Sequence, residues 1–361
     1  MILHITKKLG EWLGLGKLPI NSVDSEKLYS WRANLVQEDG VEFIVFVNEA
    51  SRYVVLVNRP KRNLPDMLIE TLRGAMLADN VNPNVIDRYI KECGEVHFVR
   101  NLGRKETAWL NKAIDNAWYA MRESEESLAV SQAASAVLVP SYAGLEVSEH
   151  YRPKDRFYSM LESYGLPVRG GRAYDLSVRL DLDGRYAIRK LRVSANITFE
   201  QLHRILQKAF GWKNSHLHSF GMFKEWSKNY YATPDVELVL SEEDFENNPK
   251  AKLSANVKLS EYLPQFAKIL YRYDYGDDWH HYIELENVID DCKDELPVLI
   301  SGEGNAPPED VGGAIGFAEF LKSIGDPNDK EHEFNKNWAK RQFWKPFDFE
   351  SATRDVSRSL D

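Results

Sequence analysis

Six side chains in the second half of the chain are of the types that hold a transition metal: His216, His218, Asp277, His281, Glu309 and Asp310. Imidazole nitrogens and carboxylate oxygens ligate zinc, manganese or iron, so a divalent transition metal is the cofactor this set could take. His216 and His218 lie two residues apart in a run that reads as a strand over 215–223. Their side chains are therefore expected to leave one face and meet one ion. His281 shares its strand face with Trp279, Ile283 and Leu285. The alternative is a core histidine whose ring nitrogens are satisfied by Asp277 or a backbone carbonyl. Either way, His218, Asp277 and His281 are expected to lie together.

Two loops serve these residues. Tyr273 to Asp278 reads as a turn in which Gly276 adopts a positive φ and Asp277 bonds neighbouring amides. Pro307-Pro308 followed by Glu309-Asp310 and Gly312-Gly313 gives a stiff approach and a flexible release, with the carboxylates either capping a following helix or facing the histidines. There is no GxxxxGK[ST] loop, and Gly14-Leu-Gly16 lacks the third glycine and the βα setting of a dinucleotide site. No catalytic nucleophile, base and orienting group are assigned.

Charge is unevenly distributed. Arg185, Arg189, Lys190, Arg192, Arg204, Lys208 and Lys213 are opposed only by Glu200, whereas residues 274–310 hold twelve acidic residues and one lysine. The basic stretch could bind a phosphate backbone weakly and without sequence preference, dock a protein partner, or pair internally. The net charge of -9 argues against a dedicated nucleic-acid protein.

The elements that must position these residues follow from hydrophobic period. Residues 1–126 read as an α+β domain: β-rich runs at Glu42–Val47 and Tyr53–Val57 form a hairpin, helices begin near Leu64 and at Asn82-Pro83, and a long helix carries Trp109, Leu110, Ile114 and Trp118. Residues 127–171 lose that period and gather Ser, Ala, Pro and Gly, which predicts a linker containing a short helix around Phe157, Met160 and Leu161. Residues 172–361 predict strands at 174–182 and 186–193 joined by Asp183-Gly184, then a helix with a Thr198–Gln201 capping box. Strands at 215–223, 269–273 and 279–288 and two C-terminal helices complete it. The order ββαβ, an insertion over 225–265, then ββ predicts a β-grasp-like sheet with one helix across a face.

The 361 residues suffice for two or three domains, and 43% hydrophobic with 28% charged is a globular balance. Cys93 and Cys292 offer neither a disulfide framework nor a CxxC site. With no leader-like start and no apolar run long enough for a membrane, the expected location is the cytoplasm.

At Phe199-Glu-Gln-Leu-His-Arg-Ile-Leu-Gln-Lys-Ala-Phe-Gly-Trp212, His216-Leu-His218, Tyr273-Asp-Tyr-Gly-Asp-Asp-Trp279 with His281, and Pro307-Pro-Glu-Asp-Val-Gly-Gly313, the chain resembles the plasmid pRiA4b ORF-3-like family over residues 173–357. It departs from the family pattern where Ala187-Ile-Arg-Lys-Leu-Arg192 replaces a proline-Trp-Arg-Arg run and where Ala306 replaces a cysteine. Residues 1–121 resemble a small bacterial domain family of unknown function, through Thr6-Lys-Lys-Leu9, Trp31-Arg-Ala-Asn-Leu35, Phe46-Val-Asn48 and Leu110-Asn111. Neither resemblance implies an activity. The residues favour a non-catalytic recognition or adaptor protein, binding a protein or nucleic acid through the basic stretch. The alternative is a metal-dependent hydrolase built on the histidine–carboxylate cluster.

Overall fold

The computed structural model describes all residues except 21–25, 39, 62, 102, 123, 125, 144–145, 227–232 and 242–250. The chain divides into two compact units, Met1–Gly171 with Leu360–Asp361, and Arg172–Ser359. Both mix helices and sheet, so the α+β class holds for each.

In the first unit the chain runs β1 (Ile2–Ile5), α1 (Lys7–Trp12), β2 (Ser30–Glu38), β3 (Val41–Asn48), β4 (Val54–Asn58), α2 (Leu64–Ala78), α3 (Pro83–Cys93), β5 (His97–Arg100), α4 (Arg104–Ala120), α5 (Ser127–Ala136), β6 (Val139–Ala143), β7 (Glu146–Tyr151) and α6 (Pro153–Leu161). Five strands form one sheet in the order β4-β3-β2-β1-β5. Strand alternation sends Ile44 and Phe46 into a core with α2, α3 and α6, and sends Phe43, Val45 and Val47 into a second core with α4 and α5. Both sheet faces are thus covered.

Residues 127–171 are not a linker. Every residue of α5 after Ser127 is buried, and Ser127, Ser131 and Ser135 accept hydrogen bonds from the backbone amides of Asn58, Leu56 and Val54 at 2.9, 2.8 and 2.9 Å. The match is geometric. Four helical residues rise about 6 Å and two strand residues about 6.6 Å, so serines at every fourth position meet the free amides of edge strand β4. The apolar period is weak because this helix presents serine and alanine to its neighbours. The short helix expected around Phe157 is α6, with Phe157 and Leu161 fully buried.

The second unit runs β8 (Gly171–Asp181), β9 (Tyr186–Ser194), α7 (Phe199–Phe210), β10 (His218–Phe223), β11 (Val236–Val239), β12 (Lys252–Leu253), β13 (Lys268–Tyr273), β14 (Trp279–Cys292), β15 (Val298–Glu303), α8 (Gly313–Gly325), α9 (His332–Arg341) and α10 (Phe349–Ser357). The sheet has eight strands in the order β12-β11-β10-β13-β14-β8-β9-β15. Asp183 and Gly184 both take positive φ, 50° and 84°, as the two-residue hairpin between β8 and β9 requires. Among the described residues no helix is long and apolar enough to cross a membrane. Part of the expected insertion, residues 227–232 and 242–250, lies outside the described residues.

Candidate functional site

Helix α7 begins where Thr198 and Gln201 cap each other's backbone amides and ends at Gly211, whose φ is 77°. Its inner face is almost entirely buried, and it lies over the layer formed by alternate residues of three strands. Register fixes that layer: His218 pairs with Tyr273, Phe220 with Tyr271, and Tyr271 and Tyr273 with His281 and Trp279. His218 and His281 therefore stand on strands flanking β13. Two strand spacings separate their backbones by roughly 10 Å, and the Tyr271 ring stands between them, its centroid 5.8 Å from that of His218 and 5.0 Å from that of His281.

Both histidines belong to a buried aromatic layer. His218 stacks on His203 of α7 with ring centroids 3.6 Å apart and planes 5° from parallel. The Tyr271 hydroxyl lies 2.8 Å from His203 Nδ1 and accepts from the Gln207 amide at 3.0 Å, while Asn214 Oδ1 lies 2.6 Å from His203 Nε2. That pattern fits a neutral His203 carrying its proton on Nε2. Burial pushes His203 down to about 4 and His281 to about 3, and holds His218 well below its ordinary value, with the neighbouring His203 adding to the effect. His281 Nδ1 faces the Tyr271 carbonyl at 3.3 Å. The expected metal role of His218 and His281 is corrected: they are core residues.

Asp277 does not join them. Its Oδ2 accepts from the Gly312 amide at 3.2 Å, tying the turn before β14 to the start of α8. The carboxylate that organises that turn is Asp274, whose Oδ1 accepts from the amides of Gly276 and Asp277 at 3.0 and 3.3 Å. The positive φ values fall on Asp274 and Asp278 rather than on Gly276. Glu309 neither caps α8 nor faces the histidines. It is 5% exposed and accepts from the Tyr273 hydroxyl at 2.5 Å and the Lys213 amide at 3.2 Å, anchoring the Pro307–Gly313 loop.

The cluster that does form is His216, Asp274 and Asp310, with one potential ligand atom from each lying within 4.8 Å of the others. Strand β10 starts at His218, so His216 sits in the preceding loop, its ring edge-on to Tyr273 with centroids 5.8 Å apart. Its Nε2 is buried, within ion-pair distance of Asp310 Oδ1 at 3.1 Å and Asp274 Oδ2 at 3.5 Å, but aligned for a hydrogen bond with neither. Asp274 is 6% exposed, and Asp310 projects from a residue with φ of 61°. Only His216 and Asp310 were expected from residue type. Asp274 was hidden in the turn motif, where its neighbour Asp277 looked equivalent. A cavity of 670 Å³ is lined by Asp181, Asp183, Asp277, Asp278 and His280, along with Gly312. It adjoins the cluster along both chain segments.

The expected basic surface is buried or paired in its central part. Arg189 is 1% exposed, donating to the carbonyls of Ala209, Ile188 and Glu303 with its guanidinium 3.6 Å from the Phe347 ring centroid. Its role as a partner contact is corrected. Lys190 pairs with Glu286 at 3.0 Å, and Arg192 with Asp175 and Asp294 at 2.7 and 2.6 Å. Arg204 is half-buried, and Arg185 and Lys208 are exposed. The acidic stretch thus supplies partners to the basic hairpin.

An α+β domain whose sheet is crossed by one capped helix and carries a histidine–carboxylate cluster beside its central strands is the class that fold and site define. The chain belongs to the family described as plasmid pRiA4b ORF-3-like protein, which matches residues 172–353. Residues 2–147 match a domain of unknown function (DUF6933). The chain is 33% identical over 184 residues to the uncharacterized protein y4hQ of Sinorhizobium fredii (strain NBRC 101917 / NGR234), covering 51% of this chain and 86% of that protein. It also resembles the crystal structure of a protein of unknown function, MM3350, from Methanosarcina mazei Go1, at 27% identity and a TM-score of 0.42 over 50% of this chain and 96% of that one.

Proposed function

We propose that this is a non-catalytic recognition protein whose C-terminal domain holds one divalent transition metal on His216, Asp274 and Asp310. The adjoining aspartate-lined cleft then receives a positively charged group of a protein partner. One observation carries the reading: a buried imidazole nitrogen lies within 3.5 Å of two carboxylate oxygens and is aligned for a hydrogen bond with neither. Ligand bonds of about 2.0–2.2 Å would draw three such atoms around an ion with little movement. Asp274 is already oriented, because its second oxygen is engaged by turn amides, as an outer-shell contact orients a metal ligand. The burial of Arg189 and the pairing of Lys190 and Arg192 with acidic neighbours reduce the charge offered to a phosphate backbone, while the aspartates of the cleft favour a cationic partner.

Thermal unfolding of metal-stripped protein tests the proposal. Adding Mn2+ or Zn2+ at about 100 times Kd stabilises a one-site protein by about 2.7 kcal/mol. The Tm is expected to rise by several degrees, to fall back with chelator, and to be insensitive to metal in Asp274→Asn. No metal response in the wild type overturns the reading. A second reading, a metal-dependent hydrolase, draws on the exposure of the Asp310 side chain, 62%, since three protein ligands leave positions open to water. Metal-dependent turnover of bis(p-nitrophenyl) phosphate that disappears in Asp274→Asn supports that alternative, whereas binding without turnover supports recognition.

A further inference from the structure

We infer that the N-terminal domain binds an amphipathic anion, a small carboxylate with an apolar body, in the cavity bounded by α4, α5 and the β3–β4 hairpin. This cavity of 360 Å³ lies wholly within the first unit and owes nothing to the metal cluster. It has the size of a small-molecule pocket, which is mostly apolar with a few placed polar groups.

The sequence makes the space. Trp109, Lys112, Ala113 and Asn116 follow one another at i, i+3, i+4 and i+7, so they share one face of α4. Ala113, and Ala134 on α5, end at Cβ, and with Val47 and Val54 of the sheet they form the apolar floor where the second core meets the cavity. The polar groups fall among these apolar walls. Arg52 occupies the hairpin turn with φ of 65°, and its Nη1 donates to the Pro140 carbonyl at 3.0 Å. Its guanidinium lies 4.5 Å from the Trp109 ring centroid. Held from two sides, the fork loses little freedom on meeting a carboxylate. Lys112 adds a second positive charge from the exposed side of α4.

Asn116 adds a third polar group. It is 8% exposed and lines the cavity from α4. Its amide N–H is a donor of the kind that orients a carboxylate in an otherwise apolar pocket. Among the described residues the lining carries two cations, this amide and no carboxylate. Apolar walls exclude a bare phosphate, and the paired cations exclude an amine or a neutral lipid as the preferred occupant.

The test uses the full chain and the fluorescence of 8-anilinonaphthalene-1-sulfonate, itself an apolar anion, displaced by decanoate or by phenylacetate to separate linear from aromatic acids. At least one acid is expected to displace the dye tenfold more tightly than decanol, and decyltrimethylammonium is expected not to displace it. Lys112→Glu, on an exposed helix face, should weaken dye and acid at least tenfold. Ala108→Leu, on the exposed side of the same lining, should abolish both without lowering Tm. Equal competition by decanol, undiminished binding in Lys112→Glu, dye binding that survives Ala108→Leu, or no dye binding at all overturns the inference.

Discussion

His203 and His218, stacked face to face beneath α7, cannot both accept protons without placing two charges in an aromatic layer. Their folded values lie below the ordinary histidine value near 6.5, so the unfolded chain binds more protons than the folded one over the interval between. The consequence is a loss of stability as pH falls. It is absent above about 6.5, grows through the range down to about 4 set by His203, and for that residue amounts to about 3 kcal/mol. His281, at about 3, extends the loss to lower pH. The C-terminal domain should therefore unfold at progressively lower urea concentration between pH 6.5 and 4. His218→Phe should keep stability near pH 7 within about 1.5 kcal/mol, because neither ring nitrogen has a hydrogen bond to lose and the swap conserves shape. The same variant should show a shallower pH dependence. An identical slope in both proteins would assign the acid sensitivity to other groups. These two histidines also mark where residue type misleads: a ligand and a core residue have the same formula, and only the start of β10 at His218 separates His216 from its neighbour.

Helix α5 replaces a neighbouring strand along the edge of β4, and three serines carry that substitution. Ser131→Ala removes the acceptor of the Leu56 amide while keeping helix propensity high, leaving a buried donor unpaired. The expected loss is about 1–3 kcal/mol in the N-terminal unit, read from urea unfolding; a change below the error of that measurement would show that the amide finds water or that the helix shifts to relieve it. Element by element, legibility tracked how much local chemistry each segment contains. The Asp183-Gly184 hairpin, the capped helix α7 and the aromatic face of α4 announce themselves, because turn residues, caps and apolar stripes act over a few positions. Strands β11 and β12 span four and two residues and exist through their pairing partners, which no local pattern records. The same holds for α5, whose Ser-x-x-x-Ser-x-x-x-Ser spacing is a signal for an edge strand rather than for a core.

At the scale of the molecule, two α+β units carry two different kinds of surface: an apolar, cation-flanked cavity in the first and an aspartate-lined cleft in the second. The net charge of -9 pointed to the acidic side, and the cleft concentrates it where β14, the β8–β9 hairpin and the start of α8 converge. The site itself was half legible. His216 and Asp310 followed from residue type, while Asp274 required knowing that its Oδ1 is held by the turn and its Oδ2 is left facing His216. The most direct test of the metal assignment is isothermal titration of Mn2+ and of Zn2+ into full-length, metal-free protein. One ion per chain is expected, with affinity at least tenfold weaker in His216→Ala and in Asp274→Asn and unchanged in His218→Phe. Binding that ignores His216→Ala and Asp274→Asn, or no binding at all, would contradict the assignment and leave His216, Asp274 and Asp310 as a structural knot between two loops.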